Sequence, residues 1–176
     1  MKFEKVSCEQ YVAANQDIIP EIPEHSNSLT WVNIDKIKIE YDNIKLPKRA
    51  TKHSAGYDFF APFPFTLEPG EEITIPTGIR VLLDPDKFLA IYPRSGMGFK
   101  YKIQLANTVG IIDSDYSQSD NEGHIFIKLF NDNRNGKTIE IKHGEAIAQG
   151  IIQQYFTTED DSADGIRNGG FGSTSR

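Results

Sequence analysis

One carboxylate, Asp113, has the sequence surroundings most suited to catalysis. It lies in the run from Gly110 to Tyr116, Gly-Ile-Ile-Asp-Ser-Asp-Tyr, where an apolar stretch ends in a polar turn. A carboxylate held at the edge of a pocket can take a proton from an attacking water. Residues 167–176 combine glycines, hydroxyls and two arginines with one aromatic ring, Phe171. Such a tail is suited to closing over a phosphorylated, ring-bearing small molecule, so the two segments together indicate nucleotide hydrolysis.

Three further segments carry polar side chains beside small residues. Residues 54–58 end in Asp58, residues 93–97 contain Arg-Ser-Gly, and residues 144–149 end in Gln149. The Arg-Ser-Gly group suits phosphate oxygens, because arginine binds them with two parallel hydrogen bonds and backbone amides can complete the site. Each residue alone also has a simple structural explanation as a turn former, a surface ion pair or an outward strand position. The combination of all five segments in one order favours a functional site.

Bulk properties limit the possible functions. A chain of 176 residues fits one domain. Its net charge of −6 argues against nucleic acid as a partner. The single cysteine, Cys8, excludes an intrachain disulfide, and the four histidines show no metal-site spacing. Apolar runs are only a few residues long, so we expect no membrane partner and a cytoplasmic location.

The order of patterns predicts an all-β fold. Residues 1–30 read as an N-terminal appendage in which Ser7 caps a short helix over 8–14, ended by Asn15, before an irregular connection. We expect the removal of this appendage to leave turnover intact. Alternation through Ile34, Ile37, Ile39 and Tyr41 predicts a strand. Further strands are predicted over 72–83, 87–92, 124–131, 138–142 and 146–156, with a helical turn at 95–101. Many short strands favour an antiparallel sandwich or barrel over 31–156, followed by a flexible arm over 157–176.

The five segments, in this order and spacing, resemble the motifs of the homotrimeric dUTP pyrophosphatases (dUTPases). The resemblance runs from about Ile34 to Arg176. It implies a jelly-roll-type β-barrel and a homotrimer with active sites at subunit boundaries. It also implies the Mg²⁺-assisted hydrolysis of dUTP to dUMP and pyrophosphate, which lowers dUTP and supplies dUMP for thymidylate synthesis.

The resemblance assigns a role to each matching position. Asp113 would orient and deprotonate the water that attacks the α-phosphorus. Asn107 and the backbone up to Asp113 would form a hairpin that reads uracil, and Tyr116 would lie against deoxyribose. The phosphates would be bound by Arg94, Ser95, Gly96 and Gln149, supported by Asp58. In the tail, Phe171 would stack on uracil while Arg167, Gly172, Ser173 and Thr174 engage the nucleotide. Mg²⁺ would be held by substrate phosphates and water, with no direct protein ligand.

The chain departs from the family pattern in a few places, and two other functions stay open. The segment 117–124 is longer than the link common in the family, Ala146 stands where a cation is usual, and Arg167 is one residue closer to the tail aromatic. One alternative is a dCTP deaminase-like enzyme on the same fold, although its third motif lacks the Ile-Asp-Ser-Asp-Tyr run. Another is a nucleotide-sensing regulatory protein that uses residues 1–30 or 117–124 as a partner surface.

Overall fold

The fold is built from short strands with three α-helices among the described residues. The structure is a computed structural model that describes residues 1–18, 27–167 and 169, with the backbone alone for 17–18 and 27–33. In chain order the elements are β1 (Lys2–Lys5), α1 (Cys8–Ile18), α2 (Asn27–Asp42), β2 (Tyr57–Phe60), β3 (Phe65–Leu67), β4 (Glu72–Pro76), β5 (Ile79–Leu82), β6 (Lys87–Pro93), α3 (Ser95–Tyr101), β7 (Ile103–Leu105), β8 (Gly110–Asp113), a 3₁₀ helix (Ser114–Gln118), β9 (Phe126–Asn131), β10 (Ile139–Ile141) and β11 (Ala146–Gln154).

All strand pairs between these elements are antiparallel. The larger sheet has the order β2-β11-β6-β8 and the second has the order β4-β9-β7, while β1 pairs with β5 and β10 with β3. The predicted all-β class is confirmed. Within the described ranges, the ladders do not join into one closed barrel. No helix in the same ranges is long and apolar enough to cross a membrane.

Alternating side chains from these sheets form one apolar core. In β9, Ile127 and Leu129 are buried whereas Lys128 between them is exposed, as the two-residue period of a strand requires. Leu89 of β6 and Ile147 of β11 meet them from the other sheet, and both are fully buried. The burial of this apolar surface supplies the main driving force for bringing the strands together.

The strand predicted over 72–83 is divided in two. Gly78 has φ +69°, a backbone conformation that residues with a side chain rarely adopt. The hydroxyl of Thr77 donates to the carbonyl of Ile125 at 2.6 Å and accepts from the N–H of Ile79 at 3.1 Å. These bonds fix a bend at 77–78, so the chain leaves β4 and enters β5 in another sheet.

The strand predicted through Ile34 and Tyr41 is wrong, because α2 covers these residues. Ile37 is buried, but Ile39, which a strand would place on the same face, is 62% exposed. The apolar positions 34, 37 and 41 also fit one face of a helix, and the packing of that face decides between the two periods.

The first helix is predicted correctly at its start and incorrectly at its end. The hydroxyl of Ser7 accepts from the backbone N–H of Gln10 at 3.1 Å, which confirms the N-cap. The helix continues past Asn15 to Ile18, because the Asn15 amide donates back to the carbonyl of Tyr11 at 2.9 Å and leaves the helix unbroken.

Residues 1–18 pack as part of the main core. In β1, Phe3 lies opposite Val81 of β5. Val6 and Tyr11 are both buried in the apolar core. The boundary predicted at residue 30 lies within α2 and stays a prediction, as does the one at 156.

Candidate active site

Asp113 is the last residue of β8, where the strand turns into the 3₁₀ helix. It lies opposite Phe88 in the ladder with β6, so its backbone is fixed by a sheet. Its side chain is 48% exposed. A carboxylate on a rigid strand end with an open face can meet both a water molecule and a ligand.

A pocket of about 730 Å³ lies beside this strand end. It brings together four of the predicted site residues, namely Asn107, Asp113, Tyr116 and Arg167. The remaining lining is mostly apolar and includes residues from both sheets and Ala14 of α1. An apolar pocket with a few convergent polar groups is the usual form of a small-molecule site.

A backbone reversal at 106–109 forms one wall of this pocket. Thr108 has φ +66°, and the N–H of Val109 donates to the carbonyl of Asn107 at 2.7 Å. Gly110 lies against Ile91, since a Cβ placed on it would be 3.4 Å from the Ile91 Cβ. The predicted hairpin differs in one respect, because β7 and β8 pair with different sheets instead of with each other. The loop therefore bridges the two sheets.

Tyr116 forms a buried wall of the pocket from the 3₁₀ helix. Its side chain is 7% exposed. The phenol donates to the carbonyl of His124 at 2.9 Å and accepts from the side-chain amide of Asn121 at 2.8 Å. Burial raises the pKa of Tyr116, while the bond from Asn121 opposes this shift. The ring is thus held by hydrogen bonds from the 117–124 loop.

Arg167 lines the pocket and binds two carboxylates. One terminal N–H forms a short hydrogen bond to Oδ2 of Asp113, and Nε lies 2.8 Å from Oδ1 of Asp115. The guanidinium carbon is also 5.9 Å from the centre of the Tyr116 ring. Its predicted contact with phosphate stays a prediction. Phe171, Gly172, Ser173 and Thr174 lie outside the described residues.

A second cluster contains predicted site residues from β2, from β11 and from the junction between β6 and α3. The Arg94 Nε lies 3.0 Å from Oδ1 of Asp58. Gln149 is opposite Asp58 in the ladder, and its amide donates to the carbonyl of Pro93 at 3.1 Å. Ser95 and Gly96 begin α3 immediately afterwards and are exposed.

A single chain does not bring the two clusters into one pocket. Among the described residues, the lining of the Asp113 pocket lacks Asp58, Arg94, Ser95, Gly96 and Gln149. The expected site residues therefore form two groups, one beside Asp113 and one beside Arg94. Sequence reasoning missed the contacts of Asp115 with Arg167 and of Asn121 with Tyr116. Only the position of Asp115 within the Asp113 motif could have signalled the first.

Comparison with known proteins agrees with this architecture. Residues 42–175 match the family model described as dUTPase. The chain belongs to the dUTPase family. It is 38% identical over 144 residues to the deoxyuridine 5'-triphosphate nucleotidohydrolase of Lactococcus lactis subsp. lactis (strain IL1403). The matched region covers 79% of this chain and 95% of the relative.

Solved dUTPase structures share the fold. The crystal structure of dUTPase from Streptococcus mutans matches with a TM-score of 0.59 and 33% identity, over 67% of this chain and 91% of that one. A mutant dUTPase from phage phi11 of S. aureus, described as coordinating a structural Mg(II) ion, matches with a TM-score of 0.58 and 25% identity over 70% and 92%. These similarities support the predicted jelly-roll-type dUTPase fold. The family model begins at residue 42, so α1 and most of α2 lie outside it.

Proposed function

We propose that this chain hydrolyses dUTP to dUMP and pyrophosphate in the cytoplasm, with Asp113 as the general base. The observation that carries the proposal is the half-exposed Asp113 carboxylate in one pocket with Asn107 and Tyr116, in a member of the dUTPase family. The reaction lowers dUTP and supplies dUMP for thymidylate synthesis.

Asp113 would activate water through one carboxylate oxygen. Arg167 binds Oδ2 in this structure, so we assign the water to Oδ1. In this arrangement Oδ1 accepts a proton as the water oxygen attacks the α-phosphorus, and pyrophosphate leaves. Such a base typically contributes about 10²–10⁴-fold to the rate. Arg167 is close enough to the carboxylate to place positive charge beside the triphosphate once the nucleotide enters.

The pocket walls would select the base and the sugar. Asn107 and the backbone of the 106–109 reversal offer amide groups that can match the edge of uracil. Gly110 packs against Ile91, which supports a close wall with no room for a thymine methyl. Tyr116 would border deoxyribose and exclude a 2′-hydroxyl. A site that leaves polar groups unpaired with the wrong substrate discriminates more strongly than one that senses a single methyl in an apolar pocket.

The second cluster would bind the phosphates of a nucleotide seated at a neighbouring chain. Arg94, Ser95, Gly96 and Gln149 would contact phosphate oxygens, and Asp58 would hold Arg94 in place. A homotrimer with active sites at subunit boundaries would unite this cluster with the Asp113 pocket of another subunit. The tail, through Phe171, Gly172, Ser173 and Thr174, would then cover the nucleotide.

The donor chemistry fits Mg²⁺ that arrives with the substrate. No group of three or more His, Cys, Asp or Glu side chains within the described ranges could hold a metal. Magnesium commonly keeps waters and binds substrate phosphates together with few protein carboxylates. We therefore assign its ligands to the triphosphate and water, with Asp58 in contact through water. When bound, the ion would withdraw negative charge from the phosphates.

The direct test is pyrophosphate release from dUTP, dCTP, dTTP and UTP, each with Mg²⁺ and with excess EDTA. We expect rapid release from dUTP alone, lost with EDTA and restored by added Mg²⁺. Equal release from UTP or dTTP would contradict the proposed pocket walls. Ammonia release from dCTP would instead identify the deaminase-like alternative.

Subunit sharing of the site can be tested by mixing two inactive variants. Asp113→Asn chains keep Arg94, and Arg94→Ala chains keep Asp113. In mixed trimers about a quarter of the boundary sites would combine both intact residues, so about a quarter of wild-type activity should return. Each variant alone is the control. No recovery after verified subunit exchange would contradict sites at subunit boundaries.

A further inference from the structure

The phenol of Tyr116 is held on two sides by the 117–124 loop, which is longer here than in the family pattern. The hydroxyl donates to the carbonyl of His124 and accepts from the Asn121 amide, at 2.9 and 2.8 Å. The tyrosine is 7% exposed, so water has little access to replace either bond. Both partners come from the same loop.

Asn121 has a second bond that shapes the loop. Its side-chain oxygen accepts from the N–H of Gly123 at 3.1 Å, while its side-chain nitrogen binds Tyr116. Asparagine side chains commonly stabilise turns through such local backbone bonds. One side chain therefore folds the loop and braces the aromatic wall of the pocket.

The loop is anchored at three further points. The Glu122 carboxylate accepts from the N–H of Ser7 at 2.7 Å and from its hydroxyl at 2.5 Å, which ties the loop to the start of α1. Gly123 has φ +74°, and a Cβ on it would lie 2.6 Å from the Cα of Ser117. His124 is fully buried and accepts from the N–H of Gly78 at 2.8 Å. A loop fixed at its C-terminal end can give a defined position to the side chain that it holds.

We propose that Asn121 is a positioning residue for Tyr116, and that the 117–124 loop thereby sets the preference for deoxyribose over ribose. This inference rests on the proposed function, in which Tyr116 borders the sugar. A steric wall excludes a 2′-hydroxyl only while it cannot move aside. Loss of the hydrogen bond from Asn121 would let the Tyr116 ring move aside for ribose. Asp113 belongs to β8, a different element, and would stay in place.

The test uses two substitutions that separate the hydrogen bond to Tyr116 from the hydrogen bond with Gly123 that shapes the loop. Asn121→Ser keeps a side-chain oxygen able to accept from Gly123 but is too short to reach Tyr116. Asn121→Ala removes both bonds. Gln118→Ala, at an exposed position of the same segment, is the matched control. The readout is kcat and KM for dUTP and for UTP, together with the thermal midpoint of each variant.

We expect Asn121→Ser to lower the dUTP-to-UTP ratio of kcat/KM by about threefold to tenfold, the range of one hydrogen bond. The kcat for dUTP should stay within about twofold of wild type, because the chemistry is not touched. Asn121→Ala should lower the ratio at least as far, and Gln118→Ala should leave it unchanged. An unchanged ratio in a folded Asn121→Ser protein would overturn the inference and leave the proposed function standing.

A spectroscopic measurement tests the brace without substrate. The measurement is ultraviolet titration of the tyrosine phenols, and Tyr116→Phe is the reference that identifies the Tyr116 signal. We expect a higher pKa for Tyr116 in Asn121→Ser, because the hydrogen bond from Asn121 opposes the rise in pKa caused by burial. In a double-mutant cycle, Asn121→Ser in the Tyr116→Phe background should have no further effect on sugar selection. An additive effect on sugar selection, or an unchanged pKa of Tyr116 in Asn121→Ser, would overturn the inference that Asn121 positions Tyr116. If the wild-type chain cleaves neither nucleotide, the proposed function and the sugar-selection role fall together.

Discussion

Acid should destabilise this protein through one buried histidine. His124 is 0% exposed, and its Nε2 accepts from the N–H of Gly78 at 2.8 Å, so this nitrogen must be unprotonated. The ring packs against Phe126, with centroids 4.5 Å apart, and against Tyr11 at 6.2 Å. Burial lowers the pKa of His124 from 6.5 to about 4, although the Glu122 carboxylate opposes the shift. A charged imidazole would lose the Gly78 bond in an apolar surrounding.

The two pKa values set the size and the direction of the effect. The unfolded chain binds the proton more tightly than the folded chain, so the free energy of unfolding falls as the pH drops from about 6.5 to about 4. Between pH 7 and pH 5 the linkage relation gives a loss of about 2 kcal/mol from this residue alone. Above pH 7 this contribution is nearly complete, and the titration of His124 should add almost no further pH dependence to stability.

The measurement is urea denaturation at pH 7 and pH 5, at one protein concentration, of wild type and His124→Gln. Glutamine can accept the hydrogen bond from Gly78 but does not titrate. A loss of stability that the substitution causes at both pH values cancels when the free energies of unfolding of one protein at pH 7 and pH 5 are subtracted. Wild type should lose about 2 kcal/mol more than the variant between the two pH values. His53→Gln, at an exposed histidine, should follow wild type. Equal pH dependence in wild type and His124→Gln would refute the assignment.

Two further predictions concern the chain ends. Deletion of residues 163–176 should spare folding and trimer formation but nearly abolish dUTP turnover. The deletion removes Arg167 and the predicted nucleotide contacts of the tail. Normal turnover by a truncated trimer would contradict a role of the tail in closing the site. Deletion of residues 1–18 should destabilise the fold by several kcal/mol, because Val6 and Tyr11 leave the core. An unchanged thermal midpoint would contradict this role in the core, and the expectation from sequence alone that removal of residues 1–30 leaves turnover intact stays a prediction.

Local pattern predicted much of the site and less of its surroundings. The order of the motifs identified Asn107, Asp113 and Tyr116, which the fold places in one pocket. It could not show that Arg167 contacts Asp113, because 54 residues separate the two and only tertiary packing joins them. The contact between Ser7 and Glu122 spans 115 residues and is equally invisible in a local pattern.

Element type was predictable where a pattern was long enough to show one period. β9 alternates clearly, and both β9 and the nine-residue β11 are predicted with small errors at their ends. β2, β3 and β7 have only three or four residues each, too few to show a period. The error at α2 has another cause, since its apolar spacing fits a strand and a helix alike, and only the exposure of Ile39 beside the buried Ile37 shows the helical period.

The central claim is that Asp113 removes a proton from the attacking water. The most direct measurement compares dUTP binding and single-turnover cleavage by wild type and Asp113→Asn, since the amide keeps the size of the side chain but cannot accept that proton. We predict a binding constant within a few-fold of wild type and a cleavage rate lower by about 10²–10⁴-fold. Wild-type cleavage by Asp113→Asn would contradict the account.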